Sequence, residues 1–235
     1  MSKNIPVKNE KAIPCKVILV GESGVGKTSI ISRYLNRYQE KTEPTLGAYF
    51  SNKILVIDGY KLNLEIWDTA GQEQYRSINN LFYKDSYICL LVYDITNKTT
   101  FNCIRDYWYE AVCQNGPQGI IFGVAGNKND LYEEEDVNEN EAKEFSKSID
   151  ACFKLTSAHI NTSIDDIFEM LGQKFIQSDF MKQLIPKYIN KNNTNEEQKN
   201  ENANIKLQKE DINNNNDTKS SNTNKKYKKK GFNCC

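Results

Sequence analysis

The chain has 235 residues, with 31 lysines and arginines against 31 aspartates and glutamates, a single histidine and 38% hydrophobic residues. No stretch is long and apolar enough to span a bilayer, and Met1 to Glu10 lacks the apolar core of a signal peptide, so membrane contact is expected to be peripheral. About 180 residues carry strand and helix patterns, enough for one filled core and no second domain.

In chain order, Cys15 to Val20 is a short β-branched run suited to a buried strand. Thr28 to Leu35 carries apolar residues at helical spacing. Between them lies Gly21-Glu22-Ser23-Gly24-Val25-Gly26-Lys27-Thr28, two glycines enclosing four residues and followed by Lys and Thr. Glycines let the backbone turn its N–H groups around phosphate oxygens, and the helix N-terminus adds partial positive charge there. Lys27 would reach the outer phosphates and the Thr28 hydroxyl would ligate Mg²⁺.

Tyr49 to Ile57 and Lys61 to Trp67 alternate apolar and polar residues around Asp58-Gly59, the signature of a tight antiparallel hairpin. Trp67-Asp68-Thr69-Ala70-Gly71-Gln72-Glu73 follows. Asp68 is placed to hold Mg²⁺ through a water, Gly71 to offer a bare N–H to a γ-phosphate and Gln72 to orient the attacking water. Strands are predicted at Ile88 to Tyr93, Ile120 to Ala125 and Cys152 to Leu155, with helical stretches near 100–114, 138–148 and 162–178. That alternation predicts an α/β fold, a six-stranded, mostly parallel sheet with helices on both faces.

Asn127-Lys128-Asn129-Asp130 sits where the second of these strands ends, the side on which open α/β sheets bind ligands. The Asp130 carboxylate can accept from the ring N–H and exocyclic amine of guanine, a donor pair that adenine lacks. GTP and GDP are therefore expected rather than ATP.

Past Pro186 the composition turns to Asn, Lys, Glu and Ser, too polar to offset the entropy of ordering. Residues 186–235 hold 11 lysines against 6 acids, net +5, which leaves −5 for the rest. Lys225, Lys226, Lys228, Lys229 and Lys230 stand just before Cys234-Cys235. The cluster reads as membrane-facing, with a nuclear-import or nucleic-acid tract as the alternative. The other cysteines, Cys15, Cys89, Cys103, Cys113 and Cys152, fall in strands or helices without metal-ligand spacing and are expected to be buried reduced thiols.

On these motifs, together with Thr156-Ser157-Ala158, the chain from residue 14 to about 178 resembles the Ras superfamily of small GTPases. Leu46-Gly47-Ala48-Tyr49-Phe50, Arg76-Ser77-Ile78, Phe82-Tyr83 and Leu91 to Thr96 make it similar to the Rab family, with a first-switch spelling like that of its early-endosomal branch. The resemblance implies a P-loop G domain over 14–180, flanked by a 1–13 extension and a disordered tail over 181–235. It implies a Mg²⁺-dependent GTP/GDP switch, slow at hydrolysis without an activator, monomeric, and active in vesicle-mediated transport on the cytoplasmic face of membranes, endosomes among them.

Nucleotide contacts are implied from Ser23, Gly24, Val25, Gly26, Lys27, Thr28, Ser29, Tyr38, Thr45, Gly71, Asn127, Lys128, Asp130, Ser157 and Ala158. Metal contacts fall to Thr28, Thr45 and Asp68, and catalysis to Gln72, Lys27 and Gly71. Tyr38 and Lys128 would pack on the base, with the Ser157 and Ala158 N–H groups near its carbonyl. Phe50, Trp67 and Phe82 match the aromatics that present an effector surface. Cys234 and Cys235 match a double geranylgeranylation site. Implied partners are an activator (GAP), an exchange factor (GEF), a GDP-dissociation inhibitor, a prenylation escort and effectors, and no nucleic acid. His159 and Gln74 depart from the family's usual lysine and arginine, and Ser23 from the glycine of Ras. A metabolic P-loop kinase and a non-hydrolysing scaffold are the alternatives. The first gives no reason for Asp130, and the second requires loss of Lys27, Thr28, Thr45 or Gln72, all present.

Overall fold

The computed structural model describes residues 11–39, 45, 48–69 and 82–188. Gly71, Gln72, Gln74, Leu46, Gly47, the Arg76-Ser77-Ile78 segment and everything beyond residue 188, including the lysine cluster and Cys234-Cys235, lie outside the described residues.

Strand β1 (Ile13–Val20) runs into the glycine-rich loop, from which helix α1 (Lys27–Tyr34) emerges. Strands β2 (Ala48–Ile57) and β3 (Tyr60–Thr69) form the hairpin. Asp58 and Gly59 at its tip have φ of 49° and 82°, the doubly positive pair that a two-residue turn between right-twisted strands requires. Strand β4 (Ile88–Asp94) is followed by α2 (Lys98–Cys103), a π-helical turn (Ile104–Trp108) and α3 (Tyr109–Asn115). Then come β5 (Ile121–Asn127), α4 (Glu139–Ser148), β6 (Cys152–Leu155) and α5 (Ile164–Gln177).

The sheet order is β2-β3-β1-β4-β5-β6, and every pairing is parallel except the β2–β3 hairpin. β4 and β5 are buried at every residue, as strands covered on both faces must be. Alternate residues of β1 divide between two cores. Cys15, Val17 and Leu19 pack with Ile30 and Tyr34 of α1 and Phe168, Leu171 and Phe175 of α5 on one face. Ile18 and Val20 pack with Phe101, Ile104, Trp108 and Val112 on the other. The expected sheet with helices on both faces is what the chain forms.

Two expectations need correction. Residues 179–188 are helical, with Met181 and Leu184 buried in the first core and Phe180, Ile185 and Tyr188 against it. The packed unit therefore extends to Tyr188, past the expected boundary at 180, because apolar side chains keep helical spacing into the region where composition already shifts. Of the five cysteines expected to be buried, only Cys15 and Cys89 are so. Cys103 and Cys152 are half-buried, and Cys113 is exposed next to Val112, the residue that faces the core. Burial pushes the Cys15 and Cys89 thiols well above their ordinary pKa, which keeps them protonated and unreactive.

The Phe168 ring stacks on Tyr34 at 3.9 Å and 9°, fixing the C-terminal end of α1 to α5. Phe168→Ala removes this buried ring and should lower stability by about 3–5 kcal/mol in urea unfolding.

Candidate functional site

A cleft of about 290 Å³ opens at the C-terminal edge of the sheet, lined among others by Ser23, Gly24, Gly26, Lys27, Thr28, Ser29, Tyr38, Thr45, Asn127, Lys128, Asp130, Ala158 and His159. Most of the residues assigned to nucleotide by sequence thus meet in one cavity.

Its floor is the glycine-rich loop. A Cβ on Gly21 would stand 2.1 Å from the Val92 carbonyl oxygen, and one on Gly26, at φ 96°, would stand 2.3 Å from Asn127 Nδ2. The loop is wedged between β4 and β5 at a separation that only glycine permits. Val25 is fully buried, and its carbonyl accepts from Asn127 Nδ2 at 2.8 Å. Glu22 accepts from the Trp108 indole at 3.0 Å, tying the loop to the π-helical turn.

Lys27 is 6% exposed. Its ammonium donates to the carbonyls of Gly21 at 2.8 Å and Glu22 at 2.9 Å. Burial pushes its pKa down to about 8, against the opposing pull of Asp68 and Glu22. A buried cation held only by carbonyl dipoles is completed by an anion, and phosphate oxygens are the anions that such a loop is shaped to receive.

Beside it, the Thr28 hydroxyl donates to Asp68 Oδ2 at 2.7 Å and lies 2.9 Å from the Thr45 hydroxyl. Thr45 is itself 3.5 Å from the same carboxylate oxygen. Asp68 arrives from β3, whose register sets it opposite Leu19, two residues before Gly21. Its carboxylate is 4% exposed, and Oδ1 has no hydrogen-bond partner among the described residues. Burial raises its pKa, while the Thr28 hydroxyl and Lys27 act in the opposite direction. Two hydroxyls and a carboxylate with an orphaned oxygen form an all-oxygen set fit for a hard divalent cation that also takes ligand oxygens and water. Among the described residues no cluster of three His, Cys, Asp or Glu offers another metal site.

At the other end, Ser157 Oγ donates to Asp130 Oδ1 at 2.5 Å. The Asp130 carboxylate is oriented by this bond and lines the cleft, with acceptor capacity to spare. Lys128, held at φ 67°, pairs with Asp94 Oδ2 at 2.5 Å. The Thr96 N–H and hydroxyl donate to the other oxygen of Asp94 at 3.0 and 2.8 Å. Asp94 went unassigned by sequence reading, although its position at the end of a buried strand before Thr96 is a readable signal.

Three groups expected to meet nucleotide also have partners within the protein. Asn127 donates to Val25, and its Oδ1 accepts from the Thr156 hydroxyl and the Ala158 N–H, each at 3.3 Å. Its carboxamide thus joins the glycine-rich loop to the 156–158 segment, with a second Nδ2 donor to spare. The Ala158 N–H is thereby engaged, and the Ser157 N–H donates to Thr162 O at 3.1 Å. Tyr38 lines the cleft with the Arg33 guanidinium over its ring at 3.6 Å. Phe50, Trp67 and Phe82 form a continuous row, with centroids 5.3 Å apart at each step. Phe50 is 52% exposed. Trp67, between them, is half-buried.

The Ras family model matches residues 16–177. The chain is 39% identical over 162 residues to Ras-related protein Rab-17 of Mus musculus, covering 69% of this chain and 76% of that protein. It is 36% identical to Ras-related protein Rab-22A of Homo sapiens over 165 residues, 70% and 84% of the two chains. It is 39% identical to the Ypt/Rab-type GTPase YPT7 of Saccharomyces cerevisiae over 169 residues, 69% and 81%.

Asn127→Ala strips the Val25 carbonyl and the Ala158 N–H of a buried partner at one stroke. It should destabilise the fold by about 1–3 kcal/mol in urea unfolding, the cost of leaving a buried polar group unpaired.

Proposed function

The chain belongs to the Rab type of the Ras family of small GTPases, a guanine-nucleotide-binding GTP hydrolase of vesicle traffic, and we propose that its switch is worked by Lys27, Thr28, Thr45 and Asp68. The observation that carries this reading is the convergence of three oxygen donors on one point beside a buried lysine, at the far end of a cleft whose other end holds an oriented carboxylate, Asp130. Triphosphate and base are thereby read by one cavity.

Lys27 and the loop N–H groups neutralise the outer phosphates. Thr28, Thr45 and Asp68 would hold Mg²⁺, which would supply positive charge beside the phosphates. Gln72 orients the attacking water and the Gly71 N–H meets the γ-phosphate. Thr28 is held in α1 and Asp68 in β3, whereas Thr45 lies outside any helix or strand, so its contacts are the ones that loss of the γ-phosphate releases, changing the surface that partners see. No arginine lines the cleft among the described residues. An activator's arginine would therefore raise hydrolysis by about 10³–10⁵-fold, as in other phosphoryl-transfer switches.

The regulators are an activator, an exchange factor, a dissociation inhibitor and a prenylation escort. Effectors dock on the Phe50–Trp67–Phe82 row, whose outer member is exposed. Cys234 and Cys235 carry two geranylgeranyl chains, which together anchor stably where one chain would hold only marginally. The neighbouring lysines add about 1 kcal/mol each near anionic lipid. The Leu46–Phe50 spelling, similar to that of the family's early-endosomal branch, supports an endosomal membrane.

Asp130→Asn tests the base assignment. The amide replaces a double acceptor with a donor and an acceptor, so it leaves one guanine N–H unpaired and suits a base with a carbonyl in place of the exocyclic amine. Affinity for GDP should fall by roughly 100-fold or more, and xanthosine diphosphate should become the better ligand in competition. Unchanged preference for GDP would remove Asp130 from base recognition.

A further inference from the structure

We propose that Arg33 is a positioning residue for nucleotide retention, a latch that holds Tyr38 and the 157–159 loop together over the base end of the cleft. The proposal rests on the guanine-nucleotide reading of that cleft and assigns a role to a side chain that does not line it.

Arg33 lies in the last turn of α1, the helix that begins at Lys27. Its guanidinium carbon stands 3.6 Å from the centroid of the Tyr38 ring. From the same planar group, Nε donates to the Ala158 carbonyl at 2.8 Å and Nη2 to the His159 carbonyl at 2.7 Å. A single side chain thus spans three separate pieces of the site's wall: the helix leaving the phosphate loop, the segment entering the first switch, and the base loop 125 residues away. Tyr38, Ala158 and His159 all line the cleft.

The chemistry favours arginine in particular. Its planar fork donates along two directions while its face stays free to stack on an aromatic ring. A lysine ammonium can keep the charge over the ring, yet it cannot present the same fixed pair of donors to consecutive carbonyls. The Ala158 peptide is pinned from both sides, its carbonyl by Arg33 and its N–H by Asn127 Oδ1 at 3.3 Å. Asn127 leads on to the phosphate loop through Val25. Opening the base end requires Tyr38 and loop 157–159 to part, and Arg33 is bound to both.

The site is therefore closed by two separable fastenings. Thr28, Thr45 and Asp68 act at the phosphate end, where a metal would sit, and Arg33 acts at the base end. Removing the latch speeds release whether or not the metal is present.

The test follows release of N-methylanthraniloyl-GDP from the full chain into excess GDP, with Mg²⁺ and with EDTA, for wild type, Arg33→Met, Arg33→Lys, Tyr38→Leu and the double variant Arg33→Met/Tyr38→Leu. Arg33→Met should release at least about tenfold faster, by the same factor in Mg²⁺ and in EDTA. Arg33→Lys should fall between it and wild type. In the Tyr38→Leu background the same Arg33 change should have a smaller effect, since the two residues share one contact. A wild-type release rate in Arg33→Met, an acceleration confined to Mg²⁺, or full multiplicativity with Tyr38→Leu would each overturn the latch. Should Arg33→Met not accumulate as folded protein, Arg33→Lys decides alone, a wild-type rate again counting against. Wild-type protein that takes up no labelled GDP would sink the nucleotide reading and the latch with it. Uptake followed by identical rates in all variants sinks the latch only.

Discussion

The buried ammonium of Lys27 is the constraint from which the rest of the site follows. At 6% exposure it has exchanged water for two loop carbonyls, too little to balance a full charge in a poorly hydrated place. Burial depresses its pKa, and Asp68 is the larger of the two carboxylate charges that oppose the fall; that carboxylate is itself buried with one oxygen orphaned. A metal-bound polyphosphate would meet the charge of the lysine and the orphaned oxygen of that carboxylate at once.

Topology delivers those two groups to the same place. β1 sits in the sheet between β3 and β4, so the loop at its end has a neighbour strand on each side, the position at which open α/β sheets bind ligands. The β3 register brings Asp68 level with Leu19, and the β4 carbonyl of Val92 presses close enough to Gly21 to exclude any side chain there. β5 ends level with β4, Asp94 against Asn127. From that end Asn127 reaches back to the phosphate loop while Lys128 turns to Asp94. The glycine-rich loop and the 156–158 segment are therefore joined through one carboxamide.

The elements that local chemistry dictates were legible in the sequence. Asp58-Gly59 specifies a turn with two positive φ values and has them. The apolar runs now seen as β4 and β5 read as buried strands, and the glycine-lysine-threonine motif as a loop opening a helix. What escaped was set by contacts between distant residues. Arg33 looks like a polar residue on an amphipathic helix until Ala158 and His159 are folded against it. The partners of the Ser157 and Ala158 backbone N–H groups, Thr162 and Asn127, are likewise chosen by the fold. The π-helical turn at Ile104–Trp108 leaves the apolar spacing nearly helical, so periodicity cannot show it. The packed end at Tyr188 lies beyond a change in composition that burial of Met181 and Leu184 overrides.

The central claim is that this cleft holds a guanine nucleotide. Its most direct measurement is chromatographic identification of the nucleotide released on denaturing the purified full chain, followed by displacement with excess GDP, GTP or ATP in Mg²⁺. Stoichiometric guanine nucleotide, exchanged by GDP and GTP and not by ATP, is the expected result. Adenine nucleotide, or displacement by ATP as readily as by GDP, would contradict it.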